Sequence, residues 1–221
     1  MPADEPASDS RHGERRWPMA LAVLAAAGLH LALPAQLRVQ SSGALLWVVV
    51  GILSLLIVGD PGRIDRSRPW LRVATGVLIG VITLANAYAA VQLVVGILDN
   101  ASFTAPRELL LSGSAVWLTN VIAFALWFWD LDRGGAAERA NRTNRSPALV
   151  FPEMTHTEHV RPDWSPAFVD YLAFSFATAT AFSPTDVSAV KPWAKALIVS
   201  ESLLSLALAA LVIARAVNVL Q

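Results

Sequence analysis

The chain has 221 residues, of which 55% are hydrophobic and 15% are charged, and it contains no cysteine. The absence of cysteine excludes disulfide frameworks, thiolate metal sites and thiol nucleophiles. Seventeen basic residues balance seventeen acidic ones, which argues against nucleic acid as a partner, whereas the apolar composition predicts a protein whose main partner is the lipid bilayer.

Residues 1–16 have mixed charge and little to bury, so we expect a disordered tail. Five apolar stretches follow, each close to or above the roughly 20 residues that a helix needs to cross hydrocarbon. They are Met19–Pro34, Ala44–Gly59, Leu71–Leu98, Leu109–Trp129 and Trp193–Leu220. Residues 17–130 are therefore predicted to form a bundle of four transmembrane helices. The first of these is expected to be an uncleaved anchor rather than a secretory signal, because its cleavage pattern is poor.

Arginine distribution predicts the orientation. The tail and the second and fourth connections are rich in arginine, whereas the first and third connections hold only Arg38 and Arg107. By the positive-inside rule, the amino terminus is cytoplasmic and the fourth helix ends in the cytoplasm. This predicts a multi-pass membrane protein with its amino terminus in the cytoplasm.

Small residues predict helix packing. Gly76 and Gly80 lie four residues apart, and Gly28 with Ala32 repeats this spacing. In lipid, small residues let helix backbones approach closely. A contact within one subunit is the favoured interpretation, and a contact between subunits is the alternative.

Residues 131–165 are predicted to form a polar cytoplasmic connection, in which Phe151–Met154 would tie the loop back to the bundle. Potential ligands gather in it at Glu153, His156, Glu158, His159 and Asp163. Their spacing fits no standard zinc pattern, so we predict a solvated acidic loop and neither a metal nor a cofactor. The sequence also lacks HExxH, GxxxxGK[ST], GxGxxG and GxSxG motifs, and we expect no enzymatic activity.

Residues 166–221 are predicted to form a pore-like helix, a polar turn and a final transmembrane helix. Ser165 is a plausible N-cap and Pro166 a plausible first helical residue. Pro184 must break the helix where polar groups accumulate, at Thr178, Thr180, Ser183, Thr185 and Asp186. Non-helical polar backbone at membrane depth is tolerated only inside protein or beside a wet cavity, so we predict a re-entrant or pore-facing element.

Two resemblances meet in this region. The stretch ATATAFSPTDVSAVKPWAK resembles the pore helix, filter and following helix start of tetrameric potassium channels, with Thr178 and Thr180 before the filter and Asp186 after it. The resemblance implies a homo-oligomer, with a tetramer favoured, that passes small ions. Residues Ala181, Phe182, Ser183, Pro184 and Thr185 replace the TVGYG-type filter, so potassium selectivity does not transfer.

The second resemblance covers about the last hundred residues. YLAFSFATATAFSPTD, the final helix and the segments WFWDLDRGG and FPEM are similar to the bacterial membrane-protein family called domain of unknown function 1345 and its actinobacterial relatives. It implies a polytopic inner-membrane protein and supplies no reaction.

The predicted fold class is all-α, with five or six transmembrane helices and a short broken helix before the last. Residues 167–184 either cross fully or dip in from the cytoplasm. Their length favours six crossings with both termini inside, although such a crossing would be short for the thickness of a bilayer.

Glu201 lies inside the last span and is a candidate functional group by default, because an acid at membrane depth costs a few kcal/mol on insertion scales. The alternative is a structural hydrogen bond to Asn86 or Asn120. The favoured function is a channel-like cation pore. The alternatives are a small proton-coupled transporter that uses Glu201 and a non-conducting accessory membrane protein.

Overall fold

The computed structural model describes residues 13–39, 43–99, 105–141, 145–155, 158, 164–180 and 187–220. Most of these residues are helical. The helices are α1 (Trp17–Ala32), α2 (Ala44–Gly59), α3 (Pro69–Leu98), α4 (Pro106–Leu131), α5 (Ala136–Ala140), α6 (Phe168–Thr180) and α7 (Pro192–Leu220). Short 3₁₀ turns lie at Ala35–Leu37, Asp132–Gly134 and Pro152–Met154. Two two-residue strands, β1 (Leu149–Val150) and β2 (Ser188–Ala189), pair antiparallel.

Three helices are long and apolar enough to cross a membrane, namely α3, α4 and α7. Proline at the first or second position begins both α3 and α4, where its missing N–H costs nothing. α1 and α2 are apolar but have 16 residues each, or about 24 Å at 1.5 Å per residue. The predicted all-α class is therefore confirmed, and three helices are compatible with a membrane protein, whereas five or six crossings stay a prediction.

The helices form a bundle around α4. In the most apolar 18-residue stretch of α4, 72% is buried, against 22% in that of α7. One apolar core includes Met19, Leu78, Phe128 and Phe174. The other includes Leu37, Leu93, Leu109 and Val212 and lies toward the opposite end of the bundle. Consecutive long helices therefore run in alternating directions.

Arginine side chains gather at one end of the bundle, which we call the arginine-rich end. Arg16, just before α1, forms a 3.2 Å ion pair with Asp60, just after α2. Arg72, in the first turn of α3, donates a 2.9 Å hydrogen bond to the Gly134 carbonyl oxygen, just after α4. The start of α1, the end of α2, the start of α3 and the end of α4 thus share one end.

The segment around α6 begins and resumes at this same end. The Phe168 ring, at the start of α6, lies 6.0 Å from that of Trp129, near the end of α4. After α6, the Val190 amide donates to the Ala148 carbonyl oxygen at 2.8 Å. Ala148 in turn donates a 2.7 Å hydrogen bond to Asp132, which directly follows α4. The flanks of α6 therefore both contact the end of α4.

The residues that begin α6 differ slightly from expectation. The helix begins at Phe168, so Ser165 is not its N-cap, and Pro166 precedes its first turn. The Asp170 carboxylate instead accepts a 2.8 Å hydrogen bond from the Ala167 amide. An acidic side chain three residues into a helix commonly reaches back to the capping residue in this way.

The last part of the predicted tail is ordered. Residues 1–12 lie outside the described residues, but Arg16 is 6% exposed and the Arg16 amide bonds to the Gly62 carbonyl oxygen. The prediction of disorder is therefore wrong for residues 13–16. Asp60 and Arg139 on α5 supply charged partners that composition alone does not reveal.

Gly76 and Gly80 do not make the expected helix contact with any of the residues that the structure describes. A Cβ at either glycine would meet no heavy atom within 4 Å, and the same holds at Gly28. The close approach occurs at Gly113 instead, where a Cβ would lie 2.7 Å from a methyl group of Val212 on α7. The α4–α7 contact, and not α3, thus requires a glycine.

We expect Gly113→Ala to destabilise the protein by about 1–3 kcal/mol, because the added methyl overpacks the α4–α7 contact. Gly76→Ala meets open space and should not destabilise the protein. Thermal unfolding of the two variants in the same detergent checks this. Equal midpoints for the two variants would contradict the packing described here.

Candidate functional site

A polar cluster lies inside the bundle where α4, α6 and α7 meet. Glu201 on α7 and Ser175 on α6 are both fully buried. The Ser175 hydroxyl is within hydrogen-bond distance of a Glu201 carboxyl oxygen and lies 2.8 Å from the Val121 carbonyl oxygen on α4. This polar cluster links α4, α6 and α7 within their apolar stretches.

The two contacts of the Ser175 hydroxyl bear on the protonation state of Glu201. The Ser175 hydroxyl has one proton, and the Val121 carbonyl oxygen can only accept. When that proton goes to Val121, the carboxyl group must supply the proton of the second hydrogen bond. The arrangement is satisfied when Glu201 is a neutral carboxylic acid that donates to Ser175. A neutral acid also avoids the cost of an unpaired buried charge.

Further polar groups surround Glu201. Asn120 on α4 donates a 3.1 Å hydrogen bond to Ser205, one turn further along α7. The Ser202 hydroxyl reaches the Thr178 carbonyl oxygen on α6 at 3.5 Å. Among the described residues, the Glu201 Oε2 atom is buried without a hydrogen-bond partner. Among the described residues, Glu201 therefore bonds to Ser175 and not to Asn86 or Asn120, the partners of the alternative, structural interpretation.

The pore-like residues are described only in part. The Thr178 hydroxyl donates to the Phe174 carbonyl oxygen at 2.9 Å, and the Thr180 hydroxyl to that of Ala177 at 3.0 Å. Both hydroxyl groups thus find their hydrogen-bond acceptors within their own helix. The remaining predicted residues lie outside the described residues; they are Ala181, Phe182, Ser183, Pro184, Thr185 and Asp186.

A second buried polar cluster contacts the first turn of α6. Asp132, fully buried after α4, accepts a 2.7 Å hydrogen bond from the Tyr171 hydroxyl on α6 as well as the one from Ala148. The Phe151 ring lies 5.3 Å from that of Tyr171. The predicted contact of the connection 131–165 with the bundle is thus confirmed at Phe151.

Glu14 extends this cluster to the segment before α1. Its carboxyl group accepts a hydrogen bond from the Trp129 indole and lies 3.9 Å from the Arg139 guanidinium. The Arg139 guanidinium also faces the Tyr171 ring at 5.1 Å. Burial raises the pKa of Glu14 above its ordinary value, and the attraction of Arg139 opposes this shift. These contacts tie the segment before α1, α4 and α6 together.

Sequence reasoning missed most of these partners. Ser175 lies among apolar residues and resembles a small packing residue, and nothing near Asp132 or Tyr171 in the sequence indicates that they pair across 39 positions. The available signal in the sequence is that Asp132 directly follows an aromatic-rich helix.

The described residues contain no group of three or more acidic or histidine side chains arranged to hold a metal ion. Three of the ligands considered in the cytoplasmic connection, His156, His159 and Asp163, lie outside those residues.

No protein-family model, curated protein or solved structure matches this chain. The two resemblances noted in the sequence stay predictions.

Proposed function

We propose that the chain crosses the bacterial inner membrane five times, through α1, α2, α3, α4 and α7, and that α6 is a re-entrant half-helix. In this topology the arginine-rich end and the amino terminus are cytoplasmic, and α7 ends on the opposite side. The proposal replaces the six-crossing preference, since α6 has 13 residues and is about 20 Å long.

The contacts at both flanks of α6 support this topology. Phe168 contacts Trp129, and Val190 bonds to Ala148, so the chain is at the end of α4 both before and after α6. A full crossing would place the second flank at the end that holds Arg38 and Arg107. The concentration of arginine at one end supports the cytoplasmic assignment.

We propose that the protein is a channel-like, cation-conducting membrane protein. The single observation that supports it is that the last turn of α6 lies against α7, where the Ser202 hydroxyl reaches the Thr178 carbonyl oxygen at 3.5 Å, one turn beyond the Ser175–Glu201 contact. The carboxyl end of a helix carries partial negative charge and unpaired carbonyl groups. Such an end at membrane depth favours a cation, as the carbonyl groups and acidic rings of known pores do.

In this proposal the polar constriction comprises the residues from Thr178 to Asp186, contributed by each copy of a homo-oligomer, with a tetramer favoured. Asp186 supplies a negative charge at the mouth. One copy presents a single such segment, so an axial constriction needs several copies. The size of the purified assembly in detergent tests this requirement directly.

Liposomes that contain the purified chain are expected to pass monovalent cations passively. Asp186→Asn should lower the preference for cations over anions severalfold, because it removes one carboxylate per subunit from the mouth. Asp99→Asn is the matched control, since Asp99 is an exposed acid after α3. Passive flux with unchanged ion preference in Asp186→Asn would contradict this placement of the mouth.

A proton-coupled carrier is the second candidate, and the neutral hydrogen-bond arrangement of Glu201 favours it. Broken helices near the midplane of a membrane commonly form transport sites, and a buried acid that binds a proton can couple to one. In that case flux appears only with a proton gradient, and Glu201→Gln abolishes it because an amide does not titrate. Passive flux that survives in Glu201→Gln would favour the channel.

A further inference from the structure

A cavity of about 230 Å³ opens at the arginine-rich end, between the α2–α3 connection, the first turns of α3 and the end of α4. Its cationic lining comes from Arg16, Arg66, Arg68 and Arg72. Leu71 and Trp129 contribute apolar lining beside them. The cavity thus combines positive charge with an apolar surface.

The lining has an excess of positive charge. Arg16 and Asp60 neutralise each other at 3.2 Å, and Asp60 also accepts hydrogen bonds from the Asp65 and Arg66 amides. The remaining lining has three arginines against the carboxyl groups of Asp130 and Glu138. An anion in the cavity would balance this excess.

The arginine geometry suits an oxygen-rich anion. Arg66 donates to the Gly59 carbonyl oxygen at 3.1 Å, and Arg72 donates to that of Gly134 at 2.9 Å. A guanidinium carries five N–H groups, so one backbone bond orients it and leaves donors for a ligand. Paired guanidinium donors match the oxygens of a phosphate group.

The position of the cavity indicates the source of the anion. α3 has 30 residues and is about 45 Å long, which exceeds the hydrocarbon thickness of about 30 Å. The start of α3 therefore lies at headgroup level, with Arg68 directly before the helix and Arg72 and the exposed Trp70 in its first turn, where tryptophan concentrates. The volume is below that of sites for drug-sized ligands and suits a headgroup.

We propose that this cavity binds the phosphate group of an anionic phospholipid headgroup. Arg68 and Arg72 contact the phosphate oxygens, Arg66 contributes charge, and Leu71 with Trp129 contacts the apolar part of the lipid. Ion conduction is not required, so failure of the flux experiments leaves this proposal standing.

Native mass spectrometry of the full chain, released from micelles with equal phosphatidylglycerol and phosphatidylcholine, tests the proposal. We expect selective retention of phosphatidylglycerol. Arg68→Gln should weaken that retention roughly tenfold, since a hydrogen bond to a charged group is lost. Arg68→Gln/Arg72→Gln should weaken it further, and Arg68→Lys less than Arg68→Gln.

Arg107→Gln, an exposed arginine at the other end, is the control and should leave retention unchanged. Equal retention by the wild type and Arg68→Gln, which alters an exposed side chain and should fold normally, would overturn the proposal. So would equal retention of the two lipids. Inorganic phosphate distinguishes a lipid headgroup from free phosphate as the source of the anion. If phosphate raises the unfolding temperature through the same arginines and no lipid is retained, the cavity binds phosphate that is free in solution. That result would overturn the lipid assignment.

Discussion

Replacing Asp60 with alanine is expected to lower the free energy of unfolding by about 3–5 kcal/mol, because it leaves the Arg16 guanidinium buried without its partner. The side chains of Arg16 and Asp60 are 7% and 5% exposed. Asp60 also accepts the Asp65 and Arg66 amides, so the substitution leaves these donors unpaired as well. The α2–α3 connection should therefore detach from the start of α1.

Denaturant unfolding in detergent measures this effect. Asp99→Ala is the matched control, because Asp99 is exposed, and its effect should stay within about 0.5 kcal/mol. Replacing both partners with apolar residues, in Arg16→Met/Asp60→Leu, should recover much of the loss, since no charge is then left unpaired. A small effect of Asp60→Ala would mean that the segment before α1 does not pack as described.

Glu201→Lys is expected to prevent stable folding, whereas Glu201→Gln should fold with a change of about 1 kcal/mol or less. An amide can donate the hydrogen bond to Ser175 that the neutral acid donates. A lysine places an unpaired cation among buried groups of three helices, at a cost of about 3 kcal/mol or more on insertion scales. The yield of monodisperse protein and its unfolding temperature distinguish the two variants.

A strongly destabilising effect of Glu201→Gln would contradict the neutral state of this acid. If Glu201→Gln destabilised the protein as strongly as Asp60→Ala, the carboxylate would be ionised and its charge required. The hydrogen-bond assignment through Ser175 and Val121 would then be wrong. Ser175→Ala supplies an internal check, because it should destabilise the wild type and Glu201→Gln by similar amounts.

Much of the helical architecture is predictable from the sequence. α3, α4 and α7 are apolar around their whole circumference, so length alone identifies them as candidate spans. Arginine counts by connection also predict which helix ends lie together, and Arg16 and Arg72 are found at one end. Both signals are local and need no knowledge of contacts.

The path of the chain around α6 is not predictable in the same way. Residues 167–184 have nearly the length of a thin crossing, and hydropathy does not distinguish a crossing from a half-helix. The contacts that support a re-entrant α6 are between residues distant in sequence, namely Phe168 with Trp129 and Val190 with Ala148. Helix packing at Gly113, in preference to Gly76, depends in the same way on which faces meet.

The candidate site follows the same division. Glu201 is identifiable because an acid within a span is unusual, but its partner is not. Ser175 is 26 positions away on another helix, and Asn120 bonds to Ser205 instead. A pairing of this kind depends on the relative rotation of α6 and α7, which an amino-acid pattern does not specify.

Thiol labelling from each side of the membrane tests the central claim, that α6 enters and the chain returns on one side. The chain has no cysteine, so single cysteines at Ser165, Val190, Arg63 and Arg107 each report one position. An impermeant maleimide applied to inverted vesicles should label positions 165, 190 and 63, whereas position 107 should react only in intact cells. Labelling of position 190 together with 107, and not with 165, would mean that α6 crosses the membrane and would contradict the account.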